Sequence, residues 1–171
     1  MKRRDGLSVG FPPIAAPDAR VLVLGSLPGR MSLEKQQYYA QPYNAFWKIM
    51  GQLFGAAPEL AYERRLEVLH AHRVAVWDVL AAGERSGSLD SAIVASSMVI
   101  NDFGAFFLAH REIRRVCFNG NKAAELYRRR VLPELAPAIA ALETLVLPST
   151  SPAHASRTFA EKLARWSAAL G

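Results

Sequence analysis

Val21-Leu22-Val23-Leu24-Gly25-Ser26-Leu27-Pro28-Gly29, followed further on by Tyr38-Tyr39-Ala40-Gln41-Pro42-Tyr43-Asn44-Ala45-Phe46-Trp47, decides the fold of this chain. A short run of Val and Leu empties into a turn of two glycines and a proline, as a buried strand does at the edge of a sheet. Past the asparagine, Phe46, Ile49, Met50, Leu53 and Phe54 recur at helical spacing, and Gly55 is placed to stop the helix. Strand, glycine-proline turn and helix make one α/β unit.

Three more apolar runs match the first: Val74-Ala75-Val76-Trp77, Val116-Cys117-Phe118 and Leu145-Val146-Leu147. They are continuous rather than alternating, which suits strands buried on both faces of a parallel sheet. Helical patterns fall between them. Tyr62, Leu66 and Leu69 form one stripe, and Phe159, Leu163, Trp166 and Leu170 form another at the end of the chain. Ser88 to Met98 and Asn101 to Leu108 read as two short helices, and Ala123 to Arg130 as a third. Alternation of this kind predicts an α/β fold with helices on both faces of a parallel sheet. The Tyr38–Pro42 connection is either a loop or a loop carrying a short strand. With no internal repeat and no linker, residues 1–171 are expected to form one domain, residues 1–19 being an extended arm in which Phe11-Pro12-Pro13-Ile14 packs on the surface.

Of the 171 residues, 51% are hydrophobic, which excludes a disordered chain, yet no apolar run is long enough to span a bilayer. Met1-Lys2-Arg3-Arg4 is not followed by the apolar stretch of a signal peptide, so a soluble, cytoplasmic or nucleoid-associated monomer is the expectation. The single Cys117 excludes an internal disulfide, and its apolar neighbours make it a small core residue. A net charge of +6 favours polyanionic partners once a site of matching chemistry is found.

Ligands of open parallel sheets bind beyond the carboxyl ends of the strands. Here those ends carry Gly25, Ser26, Pro28 and Gly29; then Asp78; then Asn119; then Ser149, Thr150, Ser151 and His154. Singly, each has a structural explanation as a turn residue, a cap or a surface group. Together they would line one crevice, with Tyr38, Tyr39 and Asn44 entering from the neighbouring connection.

The chemistry is bounded by what is missing. No Gly-x-Ser-x-Gly elbow supports acyl transfer, the glycine turn lacks the Gly-Lys-Ser/Thr of a P-loop, and His70 and His72 would face different ways on a helix. Acidic residues number 15 and mostly fall on helical faces, so no metal and no cofactor is expected. A neutral polar site with aromatic faces and basic surroundings suits cleavage of an N-glycosidic bond. Its oxocarbenium-like transition state needs electrostatic stabilisation, a positioned water and room for an extruded nucleotide. The Asn44 amide could orient the water, the Tyr39 ring could stack on the base for roughly 1–3 kcal/mol, and loop amides could hold phosphates.

Gly25–Gly29, Tyr38–Trp47, Asp78-Val79-Leu80, Gly87-Ser88-Leu89-Asp90, Asn101-Asp102-Phe103, Phe118-Asn119-Gly120 and Leu147–Pro152 occur in this order. With them the chain resembles the hypoxanthine-DNA glycosylases, the sixth family of the uracil-DNA glycosylase superfamily, over roughly residues 20–170. The resemblance implies a three-layer α/β/α sandwich around a mainly parallel four-stranded sheet. It implies a catalytic Asn44, because Ser26 stands where many superfamily members keep a water-positioning Asp or Asn. Ser26, Tyr39, Asp78 and Asn119 are implied to meet the base, Tyr39 by stacking. Gly25, Pro28, Gly29, Ser149, Thr150, Ser151 and His154 are implied to meet DNA, the last loop entering the minor groove. His154 replaces the asparagine common at that point of the family's last motif.

The function so expected is excision of deaminated bases from DNA, hypoxanthine first. Uracil, mismatch or broad-range excision is the nearest alternative. A non-catalytic lesion- or nucleotide-binding module, or a hydrolase of nucleosides, would use some of the same residues with less need of Asn44 or of the basic surface.

Overall fold

The computed structural model describes residues 6–171. Its elements run β1 (Leu7–Val9), β2 (Val21–Gly25), α1 (Arg30–Lys35), α2 (Phe46–Phe54), α3 (Tyr62–Ala71), β3 (Val74–Asp78) and β4 (Leu80–Glu84). They continue as β5 (Val99–Ile100), α4 (Phe103–Ala109), β6 (Arg115–Asn119), α5 (Asn121–Leu126), α6 (Pro137–Ala140), β7 (Glu143–Leu147) and α7 (Phe159–Leu170).

The main sheet has four parallel strands in the order β3-β2-β6-β7. All four apolar runs are in it. Leu22, Val23 and Leu24 of β2, Val76 of β3 and Val116 and Phe118 of β6 are fully buried, as strands covered on both faces require. Helices flank the sheet and complete the α/β/α sandwich. Registers Gly25↔Asp78 and Leu24↔Phe118 bring the carboxyl ends of β3, β2 and β6 level.

The helical stripes at both ends of the chain form as their spacing predicts. α2 stops at Gly55, whose φ of +84° lies in the left-handed region that glycine enters freely. α7 starts with a capping box in which the Thr158 hydroxyl accepts the Glu161 N–H and the Glu161 carboxylate accepts the Thr158 N–H. The helix begun at Asn121 widens into a π turn over Tyr127–Val131, with Arg128, Arg129 and Arg130 exposed. The Tyr38–Pro42 connection is a loop without a strand.

Two expectations are corrected. Ser88–Met98 is not a helix but a pair of 3₁₀ turns, Asp90–Ala92 and Ala95–Ser97. Its serines compete for backbone groups: Ser97 Oγ accepts the Glu84 N–H at 2.7 Å and donates to the Val94 carbonyl, and Ser88 Oγ accepts the Arg30 N–H at 3.0 Å. The segment instead leads to β5, which with β4 and β1 forms a second, antiparallel sheet in the order β1-β4-β5. Of the arm expected over residues 1–19, Leu7–Val9 form β1, and Ile14 is not on the surface but in the core, 6% exposed, bridging Val76 with reciprocal 2.8 Å backbone bonds. The carbonyls of Phe11 and Pro12 accept the Trp77 indole N–H and the Tyr38 hydroxyl, so this stretch is pinned by side chains from below. Met1–Asp5 of the arm lie outside the described residues.

Candidate active site

A cavity of about 640 Å³ opens at the carboxyl ends of the main sheet. Asn44, Ser26, Tyr39, Asp78, Asn119, Gly25, Pro28, Gly29, Ser149, Thr150, Ser151 and His154 all line it. The topology assembles this set from segments that are distant in sequence, because parallel strands deliver all their carboxyl ends to one edge.

Asn44 stands one residue before α2 and is half-buried. Its Oδ1 accepts the Phe46 N–H at 3.0 Å, satisfying one of the orphan donors of the helix start. Its own N–H is held at 2.9 Å by the Gln41 carbonyl and at 3.1 Å by Gln41 Oε1. Gln41 Oε1 also accepts the Tyr43 N–H. The Asn44 backbone is therefore fixed from both sides, and the next amide, Ala45 N–H, donates to the Thr150 carbonyl at 2.9 Å.

Tyr39 adopts a φ of +52°, unusual for a residue with a side chain. That conformation lays its ring on Phe46, with centroids 4.2 Å apart and planes 29° apart. Its hydroxyl is buried without a hydrogen-bond partner. Burial, with Asp78 adding to it, holds the phenol well above its ordinary pKa. Directly beside it, Gly25 has no room for a side chain: a β-carbon would lie 2.5 Å from Asp78 Oδ1 and 2.9 Å from the Tyr39 hydroxyl.

Asp78 is 4% exposed, and its Oδ2 also lacks a partner. Burial and, less strongly, the Asp90 carboxylate push its pKa up to about 7, against the pull of Arg85. Its backbone carbonyl accepts Asn101 Nδ2 at 2.8 Å.

The last loop is built around Thr150, which is 1% exposed. Asn119 Nδ2 donates to Thr150 Oγ1, and Asn119 Oδ1 accepts the Thr150 N–H, each at 2.9 Å. α7 secures the flanks of the loop. Trp166 Nε1 donates to the Pro148 carbonyl at 3.0 Å, and Lys162 Nζ donates to the His154 carbonyl at 2.7 Å. Lys162 is itself buried, and burial lowers its pKa. His154 Nε2 lies 3.3 Å from Ser156 Oγ.

Three of these residues escape sequence reasoning. The Arg85 side chain is 2% exposed; its guanidinium donates to the Leu27 and Pro28 carbonyls and pairs with Asp90 at 3.3 Å. Asp90 in turn accepts the Ser26 hydroxyl. Lys162 is the third. Gly87–Asp90 stands out as a motif, but nothing in the sequence separates a buried Arg or Lys from the other 19 basic residues of the chain's 21. Among the described residues no cluster of three or more His, Cys, Asp and Glu could hold a metal ion, and no helix is long and apolar enough to cross a membrane.

A family model described as the uracil DNA glycosylase superfamily matches residues 12–170. A hypoxanthine DNA glycosylase of Methanosarcina acetivorans is 41% identical over 133 residues, covering 72% of this chain and 83% of that one. A hypoxanthine DNA glycosylase of Methanosarcina barkeri is 38% identical over 117 residues, covering 68% and 73%. A solution NMR structure from Methanosarcina acetivorans, provisionally assigned to the uracil DNA glycosylases, superposes with a TM-score of 0.77 at 37% identity over 96% of each chain.

Proposed function

The chain belongs to the uracil DNA glycosylase superfamily, and from that premise we propose how its residues carry out the excision of deaminated bases from DNA. The enzyme is a DNA repair glycosylase that hydrolyses the N-glycosidic bond and leaves an abasic site; hypoxanthine is its first substrate. One observation carries the assignment of residues: Asn44, Tyr39, Asp78, Asn119 and the Ser149–His154 loop meet at a single cavity at the sheet edge.

In this reading the lesion nucleotide leaves the stack and enters the cavity, its base lying on the free face of Tyr39. Asn44 orients the attacking water. An amide cannot deprotonate that water, so the water attacks as the glycosidic bond breaks and the oxocarbenium character is already developed. The proton leaves the water late and is taken up by the departing base, which has by then gained negative charge, so that the sugar keeps the hydroxyl and the base is released neutral. Ser26, tied to Asp90, and the amides of the Gly25–Gly29 turn border the departing base and the phosphates. The Ser149–His154 loop enters the minor groove, held in shape by Asn119, Trp166 and Lys162. The net charge of +6 supplies affinity for the backbone without sequence choice. The protein acts as a cytoplasmic monomer on the nucleoid, and neither metal nor cofactor takes part.

The test is incubation with duplexes bearing one hypoxanthine, uracil or xanthine, in chelator, followed by alkaline cleavage. Strand breaks at hypoxanthine are expected. Intact strands for every base would overturn the glycosylase assignment, whereas a larger yield at uracil would reverse only the order of substrates.

A further inference from the structure

The turn after β2 is pinned through five consecutive carbonyls. Those of Gly25 and Ser26 accept the Val79 and Leu80 N–H groups at 2.9 and 3.0 Å. Those of Leu27 and Pro28 are both taken by Arg85 Nη2. The Gly29 carbonyl accepts the Leu33 N–H at 3.0 Å as α1 begins.

Across a trans peptide the N–H points opposite to the preceding carbonyl, and no peptide among the described residues is cis. The N–H groups of Ser26, Leu27 and Gly29 therefore point away from the Val79–Leu80 backbone and from Arg85. None of the three has an acceptor among the described residues, although all three residues line the cavity. Backbone donors are rarely left unpaired in a protein wall. Three together, on one rigid turn, are set for negative charge that arrives with a ligand.

The reaction generates such charge. As the glycosidic bond breaks, its electron pair passes to the base and spreads over ring nitrogens and the carbonyl oxygen. Donors that meet this charge stabilise the transition state more than the bound substrate, provided that they are already in place. The first half of the turn is held by backbone amides. The second half is held by one side chain. The Arg85 guanidinium spans the Leu27 and Pro28 carbonyls and reaches Asp90 at 3.3 Å, and Asp90 accepts the Ser26 hydroxyl. The Arg85 side chain is 2% exposed, so solvent does not stand in for it. Resting on the glycosylase reading, we infer that Arg85 is a positioning residue for catalysis, acting through the β2 turn whose unpaired amides receive the charge of the departing base.

Arg85→Lys in the full chain keeps the charge but offers one nitrogen in place of a planar fork. Removing one donor of this kind costs an enzyme about 10²–10³ in kcat, so a loosened turn should lower the single-turnover rate at saturating deoxyinosine duplex by roughly tenfold or more. Affinity for a lesion-free duplex should stay within about threefold of the wild type, because the contact forms only with the departing base. The amide resonances of Ser26, Leu27 and Gly29 should move in the variant, a readout that needs no turnover. A rate within about twofold of the wild type, whatever the urea midpoint, would make Arg85 a strut for stability only and overturn the inference. Lost duplex affinity with the rate retained would overturn it as well. Absence of wild-type turnover sinks the glycosylase reading itself. Should Arg85→Lys not fold, titration of the wild type with free hypoxanthine decides: the same three amide resonances should shift, and their constancy at saturation overturns the inference.

Discussion

Asn119 and Thr150 exchange two hydrogen bonds of 2.9 Å, amide to hydroxyl and backbone N–H to amide oxygen, and so fasten the end of β6 to the loop after β7. The Thr150 carbonyl then takes the Ala45 N–H, which links the same loop to the start of α2 and to Asn44. Asn119→Ala strands the Thr150 N–H and hydroxyl in a site that is 1% exposed. At about 1–3 kcal/mol for an unsatisfied buried group, the loss of stability should be roughly 2 kcal/mol or more. Urea denaturation checks this, and duplex affinity should drop with it because the loop loses its anchor. A midpoint equal to that of the wild type would mean that water replaces the Asn119 amide without penalty.

Asn44 has two separable tasks. Asn44→Ala should abolish excision while leaving most duplex binding, and should also lower stability by about 1 kcal/mol through loss of the bond to Phe46 N–H. Asn44→Ser keeps a hydroxyl able to accept that N–H, so its stability should approach that of the wild type while excision stays lost. Single-turnover assays on a deoxyinosine duplex distinguish the two; turnover at the wild-type rate in either variant removes Asn44 from catalysis.

Gly25→Ala is the smallest change that disturbs the base of the cavity. Its β-carbon would come within 2.5 Å of Asp78 Oδ1, and Tyr39 cannot give way freely because its ring rests on Phe46. Overpacking of this kind costs about 1–3 kcal/mol. Excision should fall by far more than that stability loss accounts for, since both displaced groups line the cavity. Thermal unfolding together with single-turnover rates measures the two effects; an active, fully stable Gly25→Ala protein would show that the β2 turn has slack.

Asp78 should leave a mark on stability. Its folded pKa of about 7 exceeds the unfolded value of 3.8, so the folded protein binds more protons between those limits. Stability then falls as pH rises through that window: the penalty is absent below about pH 4 and complete above about pH 7. The shift corresponds to roughly 4 kcal/mol as an upper bound. Asp78→Asn lacks the titration, so its advantage over the wild type should grow from pH 4 to pH 8 in urea melts. Parallel stability curves for the two proteins would place the carboxyl in a wetter setting than its burial indicates.

The fold was legible where local pattern and global structure agree. The apolar runs ending at Leu24, Trp77 and Phe118 are continuous because both faces of their strands are covered, so each announces itself without reference to the others; the run ending at Leu147 shares the pattern although its edge strand is only half-buried. The α2 and α7 stripes are legible for the same reason. The stretch from Leu80 to Ile100 is not. Its strands are short and partly exposed, Val99 being 53% exposed, and its serines bond to backbone groups that no sequence window contains. β1 is equally silent, since a three-residue strand exists only by pairing with β4.

The same division runs through the site. The residue types at the four strand ends, and the order in which they occur, were fixed by sequence alone, because a parallel sheet sends every carboxyl end to one edge whatever the loops do. Which of those residues are spent on structure and which remain for the ligand was decided only by tertiary packing. Asn119 and Thr150 satisfy each other, Ser26 is taken by Asp90, and Arg85 and Lys162 are buried as struts, while the Tyr39 hydroxyl and one oxygen of Asp78 are left without partners. Hydrogen-bond satisfaction is a property of pairs brought together across the fold: Asn119 meets Thr150 across 31 residues, and Ser26 meets Asp90 across 64. No local stretch of sequence contains both members.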